Sequence, residues 1–205
     1  NNSPWVIQVA AAGPVGTFTP YSTPGASLLV TGPTAMSREI GVVTADITGK
    51  AGYDAGDYTN TFGGTSASAP ITAGVTALML QANPGLGYRD VQEILAYSAR
   101  WVDSGNGASW ATNGAGDWNG GGHMVSHDYG FGGVDALAAV RLAETWTRQS
   151  TVANLTQVQG TPQPGLGILP PGGTLEVKAA FAQPLRVEQV QVHLELAATD
   201  LHDLT

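Results

Sequence analysis

Gly63-Gly64-Thr65-Ser66-Ala67-Ser68-Ala69-Pro70 is the stretch on which the reading of this chain turns. Two glycines deliver a serine to the start of an Ala-rich apolar run that continues to Ala82. The pattern predicts a helix over about 66–82, apolar almost all round and therefore central and buried. At the first position of that helix, Ser66 would stand where unpaired backbone N–H groups and the positive end of the helix dipole converge. Such a place stabilises an anion formed beside the serine Oγ, which is what acyl transfer requires. Gly64, Ala67 and Ala69 are small enough to let a peptide approach. Pro70, within the first turns, has no N–H to waste and helps fix the helix start. Ser66 is thus the candidate nucleophile, and Gly64, Thr65 and Ser66 the candidate oxyanion and cleft backbone. Taken alone, a Thr-Ser pair ahead of an Ala-rich helix is more often an ordinary N-cap.

Upstream, Trp5-Val6-Ile7-Gln8-Val9-Ala10-Ala11-Ala12 is nearly continuous apolar sequence. That is the signature of a strand buried on both faces, as in a parallel sheet covered by helices. Residues 26–30 and 40–47 read the same way, and 48–64 as a polar loop carrying Asp54 and Asp57. Downstream, Asn83-Pro84-Gly85 stops the serine helix. A second helix is expected over 88–99, burying Val91, Ile94, Leu95 and Ser98 and showing Arg89, Gln92 and Glu93 to water. A glycine-rich, tryptophan-punctuated loop follows over 102–133. Its length argues for function, ion binding or short strands hidden within it. A third helix is expected over 134–145.

Beyond Trp146 the character changes. Thr161-Pro162-Gln163-Pro164-Gly165 and Pro170-Pro171-Gly172-Gly173 bracket a linker-like stretch. Then Val190, Val192, Leu194 and Leu196 alternate with Gln189, Gln191, His193 and Glu195, the period of a sheet with one wet face. The fold class expected is α/β, a parallel sheet with helices on both faces over 1–147, followed by a linker and the beginning of an all-β domain over 148–205.

Composition narrows the function. The 205 residues carry 8 Lys and Arg against 16 Asp and Glu, a net charge of −8, which speaks against binding nucleic acid through a basic surface. Charged residues are only 12% and hydrophobic ones 42%, so the chain should fold rather than stay disordered. With 28 Gly and 12 Pro, turns must be abundant and an all-helical bundle does not fit. There is no cysteine, hence neither disulfide framework nor thiolate site. The longest apolar stretch, 67–82, is interrupted by Ser68, Pro70, Thr72, Thr76 and Gln81 and is too short to read as a membrane span. The chain opens on Asn1-Asn2-Ser3-Pro4 without a leader and stops just after a strand-like run, so it reads as cut at both ends.

Gly-Thr-Ser-x-Ser-x-Pro followed by a buried helix and Asn-Pro resembles the serine motif of the subtilisin-like peptidases. The likeness extends to Ala77-Leu78-Met79-Leu80-Gln81-Ala82-Asn83-Pro84, Tyr88-Arg89-Asp90-Val91-Gln92 and Tyr129-Gly130-Phe131-Gly132-Gly133-Val134-Asp135-Ala136, all similar to the kexin and furin branch. Trp5-Val6-Ile7-Gln8-Val9-Ala10 and Tyr21-Ser22-Thr23-Pro24-Gly25-Ala26 match the strand and turn ahead of the serine loop in that branch. The run near Val190 resembles the opening of the small jelly-roll-like P domain that follows the catalytic domain there.

The resemblance implies a serine endopeptidase acting through a Ser-His-Asp triad, of which this chain carries only the serine, Ser66. The Asp, the His and the oxyanion asparagine of the family lie upstream of the stretch matching Asn1, so Asn1 and Asn2 are not assigned that part. His123 and His127 follow the serine and read as structural, and His193 and His202 as surface residues. The chain's working partner is then the upstream part of the same catalytic domain, and its substrates are proteins or peptides. Calcium is implied by the family, yet its glutamate in the Tyr-Ser-Glu turn is replaced here by Thr23. Asp46, Asp54, Asp57, Asp117 and Asp128 could supply oxygens, so the metal ligands stay undetermined. The family also implies a secreted enzyme, expected to be bacterial. The rival readings are an inactive subtilisin-like scaffold, in which Ser66 merely caps the helix, and a secreted binding module whose working part is the β domain.

Overall fold

A glutamine, a valine and three alanines open the sheet. In the computed structural model, which describes residues 3–35, 41–102, 110–112, 123–162, 173, 176, 178–182 and 187–193, strand β1 spans Gln8–Ala12 and strand β2 spans Leu28–Pro33. They pair in parallel, Val9 opposite Val30 and Ala12 opposite Pro33, as the continuous apolar runs predicted. On the other edge of β2 lies the Phe131–Val134 segment. Phe131 N–H donates to Leu29 O (2.8 Å), Thr31 N–H to Gly132 O (2.8 Å) and Val134 N–H to Thr31 O (2.9 Å). Gly130 permits this approach: its φ is +62°, and a Cβ there would sit 2.3 Å from Leu29 O.

Three helices follow: α1 over Thr65–Ala82, α2 over Tyr88–Ser98 and α3 over Ala136–Glu144. Val30 of β2, Val75 and Met79 of α1, Val91, Ile94 and Leu95 of α2, and Ala139 and Ala143 of α3 form one buried cluster. Truncating Met79, Ile94 or Leu95 to Ala there should cost about 2–5 kcal/mol. All three helices join this one cluster over Val30, so among the described residues the helical cover is seen on that side of the β1–β2 pair. α1 was expected to be buried all round. Its Ala67, Ser68, Thr72, Val75 and Met79 are buried against β1, β2 and α3, but Leu78 and Leu80 are exposed, because the described elements cover only one of its faces. Asn83 ends the helix and ties it to α3, donating Nδ2–H to Ala143 O (3.0 Å) and Trp146 O (2.9 Å). Asp135 caps α3 by accepting the Ala138 N–H at 2.9 Å.

On α2 the expected wet face is corrected. Gln92 donates to Pro4 O (3.0 Å), Arg89 to Thr151 O (3.2 Å) and to Asn154 Oδ1 (2.6 Å), and Glu93 pairs with Arg148 at 2.8 Å. The chain following α3 folds back over Arg89 and Glu93, and the segment ahead of β1 meets Gln92, which no periodicity within α2 could announce. Beneath it Asp90 is fully buried. Its Oδ2 accepts the N–H of Gly87 (2.8 Å) and of Ser150 (2.7 Å), and its Oδ1 the indole N–H of Trp146 (3.0 Å). Burial pushes this carboxyl up, but the bonds from Trp146, Ser150 and Gly87 outweigh it and hold it below the ordinary aspartate range.

The polar loop expected over 48–64 contains a strand. Strand β3, Val42–Ala45, pairs antiparallel with β4, Tyr58–Phe62, and the true loop is 46–57. β4 alternates Tyr, Thr, Asn, Thr and Phe, so its buried Thr59 carries no hydrophobic signal. Within the long 102–133 loop, β5 (Ala111–Thr112) pairs antiparallel with β6 (Met124–Val125).

The chain divides into one compact unit over 1–155 and another over 156–205. Within the first unit, Ser150, Thr151 and Asn154 are bonded to α2. In the second unit β7 (Thr161–Pro162) pairs antiparallel with β8 (Ala179–Ala180). Of the run 189–196 read as a strand, the described residues 189–193 carry none, and Val190 and Val192 are exposed. A strand needs a neighbour to complete its ladder and to cover its apolar side. The linker residues 163–172, and Leu194, Leu196 and His202, lie outside the described residues.

Candidate active site

Gly64 is the N-cap of α1, with φ +82° and ψ 178°. That backbone region is open to glycine and closed to other residues without strain. Its turn makes Thr65, not Ser66, the first helical residue, so the serine stands second and is exposed. No side chain caps this helix. The first-turn N–H groups, that of Ser66 among them, have no acceptor four residues back within the helix, and they lend the terminus its positive character. Pro70 is the sixth helical residue. It therefore does more than fix the start: it removes the bond its N–H would have made to the Ser66 carbonyl.

Two hydroxyls dock this helix start onto the end of β2. Ser68 is fully buried and donates to Gly32 O (3.1 Å) and Pro33 O (3.2 Å), so it faces away from Ser66, as a 200° turn around the helix demands. Gly32 makes the contact possible, since a Cβ there would lie 2.6 Å from Ser68 O. Thr34 donates its Oγ1–H to Gly64 O at 2.8 Å. Beside it the half-exposed Tyr21 donates its phenol to Ala35 O at 2.5 Å, with Thr34 Oγ1 at 3.4 Å. Neither Thr34 nor Tyr21 belongs to the expected site. A threonine after Gly32-Pro33 has no local pattern, and only the fold brings it to position 64.

His127 and His123 make their contacts elsewhere in the first unit. His127 is exposed, and its carbonyl accepts the N–H of Gly25, ahead of the first residue of β2. Ser66 adjoins the opposite end of that six-residue strand, about 20 Å along. The His123 ring packs against Tyr97 (5.4 Å) and Phe131 (6.5 Å) instead. Among the described residues no three His, Cys, Asp or Glu side chains gather as a metal would require. Asp46 accepts the N–H of Ile47 (2.8 Å) and Asp54 (2.9 Å), and Asp57 that of Gly49 (3.0 Å), so both carboxylates close the 46–57 loop upon itself. Chiefly through the Asp54 N–H, the Asp46 carboxyl is held below its ordinary range. Asp54 and Asp128 are half-buried, and Asp117 lies outside the described residues.

A model of the subtilase family matches residues 1–132. Human furin is 37% identical over 216 residues, covering 99% of this chain and 24% of furin. A calcium-dependent protease of Trichormus variabilis is 33% identical over 211 residues, covering 97% of this chain and 29% of the relative. The crystal structure of a serine protease of Aeromonas sobria superposes with a TM-score of 0.66 at 25% identity, over 78% of this chain and 32% of that one. The chain therefore spans less than a third of the length of each of these relatives.

Proposed function

The chain belongs to the subtilase family, with furin among its relatives, and we propose that it is the C-terminal part of the catalytic domain of a kexin-type serine endopeptidase with Ser66 as nucleophile. The observation that carries this is the exposed serine on an uncapped helix start, aimed by a turn that only glycine adopts without strain. Ser66 Oγ attacks a peptide carbonyl. Its proton passes to a histidine contributed, with the aspartate, by the upstream part of the same domain, and the acyl-enzyme is then hydrolysed by water. The oxygen that becomes negative in the tetrahedral intermediate is stabilised by the Ser66 N–H and the field of the helix terminus, together with an upstream asparagine.

Calcium enters this reading through the family and the name of the Trichormus relative. Among the described residues no three acidic or imidazole side chains gather to hold it, and Thr23 offers no carboxylate where the family has one. No part of the chemistry above runs through calcium. No helix among the described residues is long and apolar enough to cross a membrane, and a secreted enzyme acting on proteins or peptides accords with the family. A linker and the beginning of a P domain over 148–205 belong to the same proposal.

Labelling of the intact parent protein with a fluorophosphonate tests the nucleophile. The adduct is expected on Ser66 and not on Ser68, whose Oγ is buried and committed to two carbonyls. An adduct on Ser68, or none in a protein that carries the upstream Asp and His, overturns the assignment and favours the inactive scaffold.

A further inference from the structure

We propose that Thr34 is a positioning residue for the Ser66 turn, acting through Gly64 and supported by Tyr21. The inference rests on the reading of Ser66 as nucleophile. Gly64 holds a backbone conformation that only glycine adopts without strain, and because glycine has many other conformations open to it, this one persists only where its surroundings fix it. From within the helix, Gly64 O accepts the Ala67 N–H at 3.0 Å. From outside the helix, the same oxygen accepts the Thr34 hydroxyl at 2.8 Å. Because the peptide unit is planar, two donors on that oxygen fix the plane that carries the Thr65 N–H, and so the direction in which the chain enters Ser66.

Thr34 is itself immobilised. It is buried, its N–H donates to Ala12 O at 2.8 Å at the end of β1, and the Tyr21 phenol stands 3.4 Å from its Oγ1 while bonded to Ala35 O. Gly63 brings the loop into contact here, since a Cβ at that position would lie 2.8 Å from the Ala35 Cβ. Beside the Ser68 contacts, the Thr34 hydroxyl thus connects the end of the parallel sheet directly to the turn ahead of the reacting serine. Thr34 acts on the serine turn rather than on bound peptide, so its loss should appear in kcat and leave KM largely unchanged.

The intact parent protein is the material for the test, with variants Thr34→Val, Thr34→Ser, Tyr21→Phe and Asn83→Ala. Val keeps the shape of Thr and removes the hydroxyl. Asn83→Ala loosens α1 at its other end, about 28 Å from Gly64 at 1.5 Å per residue, and controls for stability alone. Thr34→Val should lower kcat and the fluorophosphonate labelling rate of Ser66 about 10- to 100-fold, in the range that displacing a reacting group by ~1 Å produces. KM should stay within about 3-fold, Thr34→Ser should recover most of the loss, and Tyr21→Phe should lose less than Thr34→Val. Asn83→Ala should lower the melting temperature and leave kcat in place below it. Wild-type kcat in Thr34→Val, or a Thr34→Ser variant as impaired as Thr34→Val, overturns the proposal. If the wild-type parent neither cleaves nor labels, the reading of Ser66 has failed, and the Thr34 contact is judged by the amide resonances of Gly64, Thr65 and Ser66. Shifts confined to these three in Thr34→Val and reversed in Thr34→Ser then uphold the restraint, and their absence overturns it.

Discussion

Replacing Asp90 with Asn removes a charge and turns one acceptor into a donor while hardly altering volume. The native carboxylate, fully buried, accepts three N–H groups: Gly87 and Ser150 on Oδ2, Trp146 on Oδ1. An asparagine can keep its oxygen toward Gly87 and Ser150, but its amide N–H then faces the Trp146 indole N–H. Leaving that buried donor unsatisfied costs about 1–3 kcal/mol, and the two remaining bonds lose their charge assistance at about 1 kcal/mol each. The sum is about 3–5 kcal/mol. For a domain of roughly 150–250 residues this corresponds to a fall in Tm of about 6–20 °C. Denaturant and thermal unfolding of Asp90→Asn against wild type measure it. Glu93→Gln serves as the comparison, because its ion pair with Arg148 is partly open to water and should contribute about 1 kcal/mol or less. The pH dependence has a defined sign. The folded carboxyl sits below the unfolded value near 3.9, so its contribution is complete above about pH 5 and disappears as pH falls through the folded value. Asp90→Asn should lack this component of acid destabilisation. A loss under 0.5 kcal/mol, or an unchanged acid limb, would refute the three-donor account.

Two further outcomes follow from the serine turn. Gly64→Val in the intact parent should cut kcat at least about 10-fold through conformation alone, at a strain of about 1–3 kcal/mol, because a Cβ at that φ meets nothing closer than Ser66 N at 3.8 Å; full activity would show that the turn tolerates another backbone form. The 205-residue chain by itself should hydrolyse no peptide. In subtilisin, removing the histidine costs about 10⁶ in turnover, and hydrolysis by this chain that vanished in Ser66→Ala would demand a base from within it.

Elements whose burial is hydrophobic were readable. The apolar runs of β1 and β2, the spacing of Val91, Ile94 and Leu95, and the stop at Asn83-Pro84 are local statements of a local structure. β4 was hidden because Thr59 and Thr61 satisfy their own hydroxyls, so burial there leaves no apolar trace. Asp90 ran against the rule that acids are exposed, and its three partners lie 3, 56 and 60 positions away, two of them beyond any local window. At the site, the glycine turn and the serine were legible from type and order. Thr34 was not, because its role arises only when a sheet end and a helix start are brought together.

The contact between Gly32 and Ser68 bears on whether the serine segment is portable. Residues 63–70 look like a cassette that could be exchanged between relatives, yet the helix they begin is seated so close that a Cβ at position 32 would lie 2.6 Å from Ser68 O. A recipient with alanine at that position would hold the incoming helix away from the strand end and carry its serine with it. The unit of inheritance is therefore two pieces some thirty residues apart, and exchanges that move one without the other should yield well-folded but misaligned chimeras.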